Sequence, residues 1–152
     1  MGVIGFNFEK GGFRYAILSG DRSQPILVDK AKEPCLSSGD ISELVDWYES
    51  RLENLIDANN PDRIGVRLQM GQGMKQDMIR YWYYPVGILH LIAHRNQIPV
   101  GEFNSNSFTS LSLGLSKDID KFKDLDKIFP DAEPPWDNSQ KYAVYAALST
   151  FE

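Results

Sequence analysis

Residues 2–20, GVIGFNFEKGGFRYAILSG, constrain the fold more than any other stretch of this chain. Positions 3–8 alternate and are rich in branched and aromatic side chains, as a half-buried strand should be. Gly11 and Gly12 allow the positive φ that a tight reversal needs. Positions 13–18 then read as a second strand returning beside the first. A chain that opens on such a hairpin has begun a sheet, and later elements must cover it.

Residues 24–29 (QPILVD) read as a third, short strand, and 30–39 as a loop holding Pro34 and a Ser-Ser-Gly cluster. A helix follows. Asp40 can cap it, and Glu43 stands three residues on. Ile41, Leu44, Val45, Tyr48, Leu52, Leu55 and Ile56 recur at helical spacing until Asn59-Asn60-Pro61 ends the run. Residues 63–68 (RIGVRL) are a strand, and Gly71-Gln72-Gly73 a loop. Residues 74–96 read as helical. Proline in a helix interior costs about 3 kcal/mol, so a break or kink is expected at Tyr84-Pro85. Residues 98–103 (IPVGEF) form the next strand, and 104–115 a loop or short helix. Residues 117–127 (KDIDKFKDLDK) mix charges evenly, which predicts a solvated segment, helical or partly mobile. Residues 130–135 are a linker. Asp137 or Asn138 caps a last helix over 139–150, with Tyr142, Ala143, Ala146 and Ala147 on its tightly packed side. The order predicts an α/β fold, a mixed sheet covered by helices.

A length of 152 residues predicts a single domain over 1–152. A net charge of −5 argues against sequence-independent binding to nucleic acid, which needs a basic footprint. One cysteine, Cys35, excludes a disulfide framework and reads as a small, partly buried loop residue. Neither a signal peptide nor a membrane span is evident, so a cytoplasmic protein is expected.

Four phrases carry a resemblance to a known family. They are the opening GVIGFNFEKGGFRYAIL, then NPDRIGVR (60–67), RNQIPVGEFNSNSF (95–108) and WDNSQKYAVYAAL (136–148). In that order they resemble the first hairpin, fourth strand, fifth strand and final helix of the ribonuclease H-like superfamily, most closely its RuvC-like Holliday-junction resolvase branch. The resemblance implies a ribonuclease H-like fold: a five-stranded mixed sheet, three antiparallel strands then parallel ones, with helices on both faces. It also implies a metal site. The family's first aspartate falls on Asn7, its central glutamate on Arg67, and its last aspartates around Asn138, Ser139 and onward to Tyr142.

Those departures bear on chemistry. Nucleases of this fold use two magnesium ions about 4 Å apart to clamp the attacking and leaving oxygens. Magnesium takes hard, anionic oxygen ligands. Asn7 offers one neutral oxygen, and Arg67 is always cationic and accepts nothing. A relocated set of Glu9, Glu102 and Asp137 is the alternative. Set against it, Glu9 flanks a turn and Asp137 caps a helix. Arg67 is also a candidate structural substitute, hydrogen-bonding Asn7 and pairing with Glu102 or Asp137.

Other signals point less sharply. His90 and His94 share a helix face at the spacing of zinc ligands, without a third ligand at matching spacing. The run RYWYYP puts Trp82, Tyr83 and Tyr84 together, a core or interface composition rather than a base-stacking one in an acidic chain. The expected function is that of a catalytically inactive RuvC-like domain acting by binding, with a protein partner or a second copy and no cofactor. One alternative is a divergent metal-dependent nuclease or nucleic-acid-processing protein, using magnesium and binding nucleic acid despite the acidic charge. A second is a small acidic inhibitor or immunity-type protein that masks a basic partner.

Overall fold

The computed structural model describes residues 1–36, 39–71, 73–104 and 121–151. Strands β1 (Gly2–Glu9), β2 (Gly12–Gly20) and β3 (Pro25–Pro34) are followed by helix α1 (Ile41–Asn59), β4 (Arg63–Arg67), α2 (Gln76–Trp82) and α3 (Tyr84–Arg95). Then come β5 (Val100–Phe103), α4 (Lys121–Ile128) and α5 (Asn138–Leu148). The five strands form one sheet in the order β3-β2-β1-β4-β5. The β1–β2 and β2–β3 pairs are antiparallel, and β1–β4 and β4–β5 are parallel. This is the mixed α/β sheet expected from the sequence.

Alternation along β1 divides the molecule into two layers. Ile4, Phe6 and Phe8 face α1 and α3, where they join Phe13, Trp47, Tyr48 and Leu89 in one core. Val3 and its neighbours on the other face meet α5, packing against Ala143, Val144 and Ala147. Helices therefore cover both faces. Two glycines let α5 lie directly on the sheet. A Cβ added at Gly5 would stand 1.9 Å from the Ala143 carbonyl oxygen, and one at Gly65 the same distance from that of Ala146.

Three local expectations need correcting or limiting, and one holds. β3 runs on to Pro34 rather than ending at Asp29, because its backbone pairs along the whole of β2. It is an edge strand, and solvated edges carry charges such as Lys30 and Lys32 in place of apolar alternation. The break expected at Tyr84-Pro85 is present: α2 ends at Trp82, and Pro85 sits in the first turn of α3, where a missing N–H is harmless. Within the charge-mixed segment, α4 buries Asp124 and Leu125, so that stretch is not a uniformly solvated face. Residues 117–120, and 105–115 of the segment read as a loop or short helix, lie outside the described residues. Among the described residues, no helix is long and apolar enough to cross a membrane.

Candidate functional site

Cross-strand registers place Lys32, Arg14, Asn7, Arg67 and Phe103 in one row across the sheet. Residues in register share a face. Asn7 and Arg14 on this row meet the start of α5. Arg14 and Arg67 therefore flank Asn7, one on each neighbouring strand.

Asn7 is 1% exposed, and both ends of its amide are used. Its Nδ2 donates to the Ser139 carbonyl at 2.9 Å. Its Oδ1 accepts from Arg67 at 3.3 Å. The Arg67 guanidinium lies over the Tyr142 ring, 3.6 Å from its centroid, a cation–π contact. Burial lowers the Arg67 pKa from its ordinary value. The group stays protonated at neutral pH, since arginine starts so high.

Arg14 is buried and forks between two carboxylates. Its Nε donates to Glu9 at 2.8 Å, while its two terminal nitrogens donate to the two Asp137 oxygens at 3.1 and 3.0 Å. Burial alone would lower the Arg14 pKa, but Glu9 and Asp137 outweigh it and raise it. Asp137 also caps α5, accepting from the Gln140 backbone N–H at 2.9 Å. Burial pushes its carboxyl up. The Gln140 amide, Arg14 and Lys32 together hold it below the usual carboxylate range.

The expected residues are thus only partly gathered. Asn7, Arg67, Ser139 and Tyr142 converge. Asn138 stands exposed in the first turn of α5. Glu9 and Asp137 come together through Arg14, which the sequence reading overlooked. The signal was there: a turn that pairs Glu9 with Gly12 places Arg14 opposite Asn7. Glu102 does not join them. It is in register with Val66, so it points to the face opposite Arg67, and its Oε1 lies 2.6 Å from His90 Nε2. The expected Arg67–Glu102 pairing fails on that parity. Asp137 is instead gripped by Arg14.

A divalent cation finds poor ligands here. The central position is a guanidinium, its neighbour a neutral amide, and the two nearest carboxylates already neutralise Arg14. Among the described residues, no three His, Cys, Asp or Glu side chains are grouped so as to hold a metal ion. That covers His90 and His94, of which His90 pairs with Glu102. Of the three clustered aromatics, the Tyr83 hydroxyl donates to the Gln69 carbonyl and Trp82 is partly buried, whereas Tyr84 is exposed. Cys35 is partly buried, and burial pushes its thiol up.

No protein-family model matches this chain, and no curated protein matches it in sequence. Solved structures do match. Thermus thermophilus RuvC in complex with a Holliday junction substrate aligns with a TM-score of 0.78 at 14% identity, over 98% of this chain and 91% of that one. The yeast mitochondrial Holliday junction resolvase Ydc2 aligns at 0.63 and 11% identity, over 97% and 76%. Fowlpox virus resolvase, solved with Holliday junction DNA, aligns at 0.60 and 13%, over 98% and 97%. The strand order and these neighbours together establish that the chain has the ribonuclease H-like fold in the form found in RuvC and related Holliday-junction resolvases.

Proposed function

We propose that this chain is a non-cleaving relative of RuvC-type nucleases that acts by binding another protein. The observation that carries the proposal is the row Arg14–Asn7–Arg67. The resemblance assigns metal-binding carboxylates to two of those positions, and the row holds two cations and an amide. The Arg67 guanidinium opposes a divalent ion at the central position, where burial weakens screening, and the carboxylates nearest to it are already engaged by Arg14. The relocated-acid alternative has Glu9 and Asp137 side by side but lacks Glu102.

Binding is supported by the other face. Met70, Ile79, Tyr84 and Leu91 are large apolar residues exposed on the loop before α2, on α2 and on α3. Of these, Tyr84 and Leu91 line one apolar hollow with Val45, Tyr83, Gly87 and Ile88, and a contiguous exposed apolar patch marks protein-interaction surfaces. A homodimer through the same surface is the nearest variant of this reading.

The test is calorimetric titration of magnesium and manganese into the wild type and into Arg67→Glu. The expected result is no heat of binding for the wild type and a measurable gain for the variant. Clear binding by the wild type would overturn the non-cleaving reading in favour of a metal-dependent nuclease.

A further inference from the structure

The net charge of the chain is concentrated in one helix. α1 carries Glu43, Asp46, Glu49, Glu53 and Asp57 against a single Arg51, a net −4 where the whole chain is −5. None of these acids is among the buried residues of that helix, which are Leu44, Trp47, Tyr48, Leu52 and Ile56.

The same helix forms one wall of an apolar groove. Val45 of α1, Tyr83, and Tyr84, Gly87, Ile88 and Leu91 of α3 line a shallow, open hollow of about 470 Å³. Tyr84, Gly87, Ile88 and Leu91 follow the i, i+3, i+4, i+7 spacing of one helix face. Tyr84 is 43% exposed and Leu91 48%. A Cβ placed at Gly87 would meet no atom within 4 Å, so the middle of the groove is open. Along the α1 wall, Val45, Glu49 and Glu53 stand at i, i+4 and i+8, which puts carboxylates beside the apolar lining. Glu49 also reaches Arg95 at the end of α3, at 3.6 Å.

We propose that this groove docks a basic, amphipathic helix of another protein, an inference that rests on the protein-binding reading above. A helix satisfies its own backbone, whereas an extended segment would need backbone partners that two helix walls do not offer. Its apolar stripe covers Tyr84, Gly87 and Leu91. Its lysines or arginines flank the stripe and face the α1 carboxylates, a complementarity that sets partner choice and speeds encounter.

The probes are two synthetic helix-forming peptides of the same apolar pattern, one of leucine and lysine and one of leucine and glutamate. Binding is read by fluorescence anisotropy. The Leu/Lys peptide is expected to bind, more weakly as salt rises, and the Leu/Glu peptide is not. Leu91→Lys and the double variant Glu49→Lys/Glu53→Lys should each weaken binding about tenfold or more. All three positions are partly or well exposed, so unchanged thermal melting will show that these variants fold. Equal binding of both peptides, no binding of either, or no effect of Leu91→Lys would overturn the proposal. A wild-type dimer by light scattering that Leu91→Lys dissociates would assign the groove to a second copy, leaving protein binding intact. Tight binding of Holliday-junction DNA, unchanged by Leu91→Lys and with no peptide bound, would overturn the protein-binding reading itself.

Discussion

The Arg67 guanidinium on β4 lies over the Tyr142 ring of α5, its carbon 3.6 Å from the ring centroid. The contact joins the central position of the row to the helix that covers it, one turn beyond the Ser139 carbonyl that holds Asn7. The resemblance places acidic ligands at both ends of this contact. A cation and an aromatic ring hold each other where two carboxylates would need a metal to coexist, so sheet and helix stay joined without one.

Stacking makes a stability prediction. Arg67→Ala should cost about 1–2 kcal/mol, the range of a partly desolvated cation–π contact. Arg67→Lys should recover less than half of it, because an ammonium cannot lie flat on the ring. Urea denaturation followed by tryptophan fluorescence measures both. Full recovery by lysine would mean that charge alone, not stacking, matters at this position.

The Arg14 fork predicts a pH dependence. Asp137 titrates below its ordinary value, so its contribution is complete above the unfolded carboxylate pKa, about 3.9. It is lost as the pH falls through the lowered folded value. Arg14→Met leaves Glu9 and Asp137 without their shared cation. At neutral pH this should cost about 2 kcal/mol, less than the removal of one partner from a fully buried pair. The discount follows from the Asp137 side chain, which is 60% exposed. The gap between wild type and variant should close below about pH 3.9 as Asp137 protonates. A gap that persists in acid would show that Arg14 acts through packing.

Much of this arrangement was legible in the sequence, and the rest was hidden for identifiable reasons. The opening hairpin and α1 announce themselves through periods of two and 3.6 residues, because each buries one face. The placement of Asn7 beside Arg67 followed from the resemblance alone. Arg14 could have been found, since a short turn dictates which residues oppose each other. The side chosen by Glu102 could not. In a parallel pair no turn links the strands, so a shift of one residue between β4 and β5 would move Glu102 to the other face. The length of β3 was hidden because its outer part, Lys30 to Pro34, has the composition of a loop while its backbone pairs with β2.

Close approach of α5 to the sheet predicts that Gly5 and Gly65 tolerate no side chain. The atoms that an added Cβ would strike are backbone, the Ala143 oxygen and Ala147 nitrogen at Gly5, so rotamer changes cannot relieve the clash. Gly5→Ala and Gly65→Ala should each cost about 3 kcal/mol. The melting temperature should fall by on the order of 10 °C in a domain of this size. Gly87→Ala is the control, with open space at its Cβ, and should melt within a few degrees of the wild type. Comparable losses in all three variants would mean that glycine is not acting through α5 packing.

The parity of Glu102 separates the two readings of the carboxylates. On the face away from Asn7, Glu102 pairs with His90 at 2.6 Å, and both side chains are 42% exposed. Surface pairs of this kind contribute about 0–1 kcal/mol. Glu102→Gln should therefore change stability by no more than about 1 kcal/mol. Its manganese titration should superimpose on that of the wild type, because no ligand has been removed from the Asn7 side of the sheet. Asp137→Asn should behave differently, destabilising the fold through Arg14 while leaving the titration equally flat. Were the relocated set a real metal site, both substitutions would lower a measurable manganese affinity together. Two side chains on opposite faces of one sheet can share an ion only if β5 slips by one residue against β4. That slip would also turn Phe103 out of the core beneath α5, where it now packs.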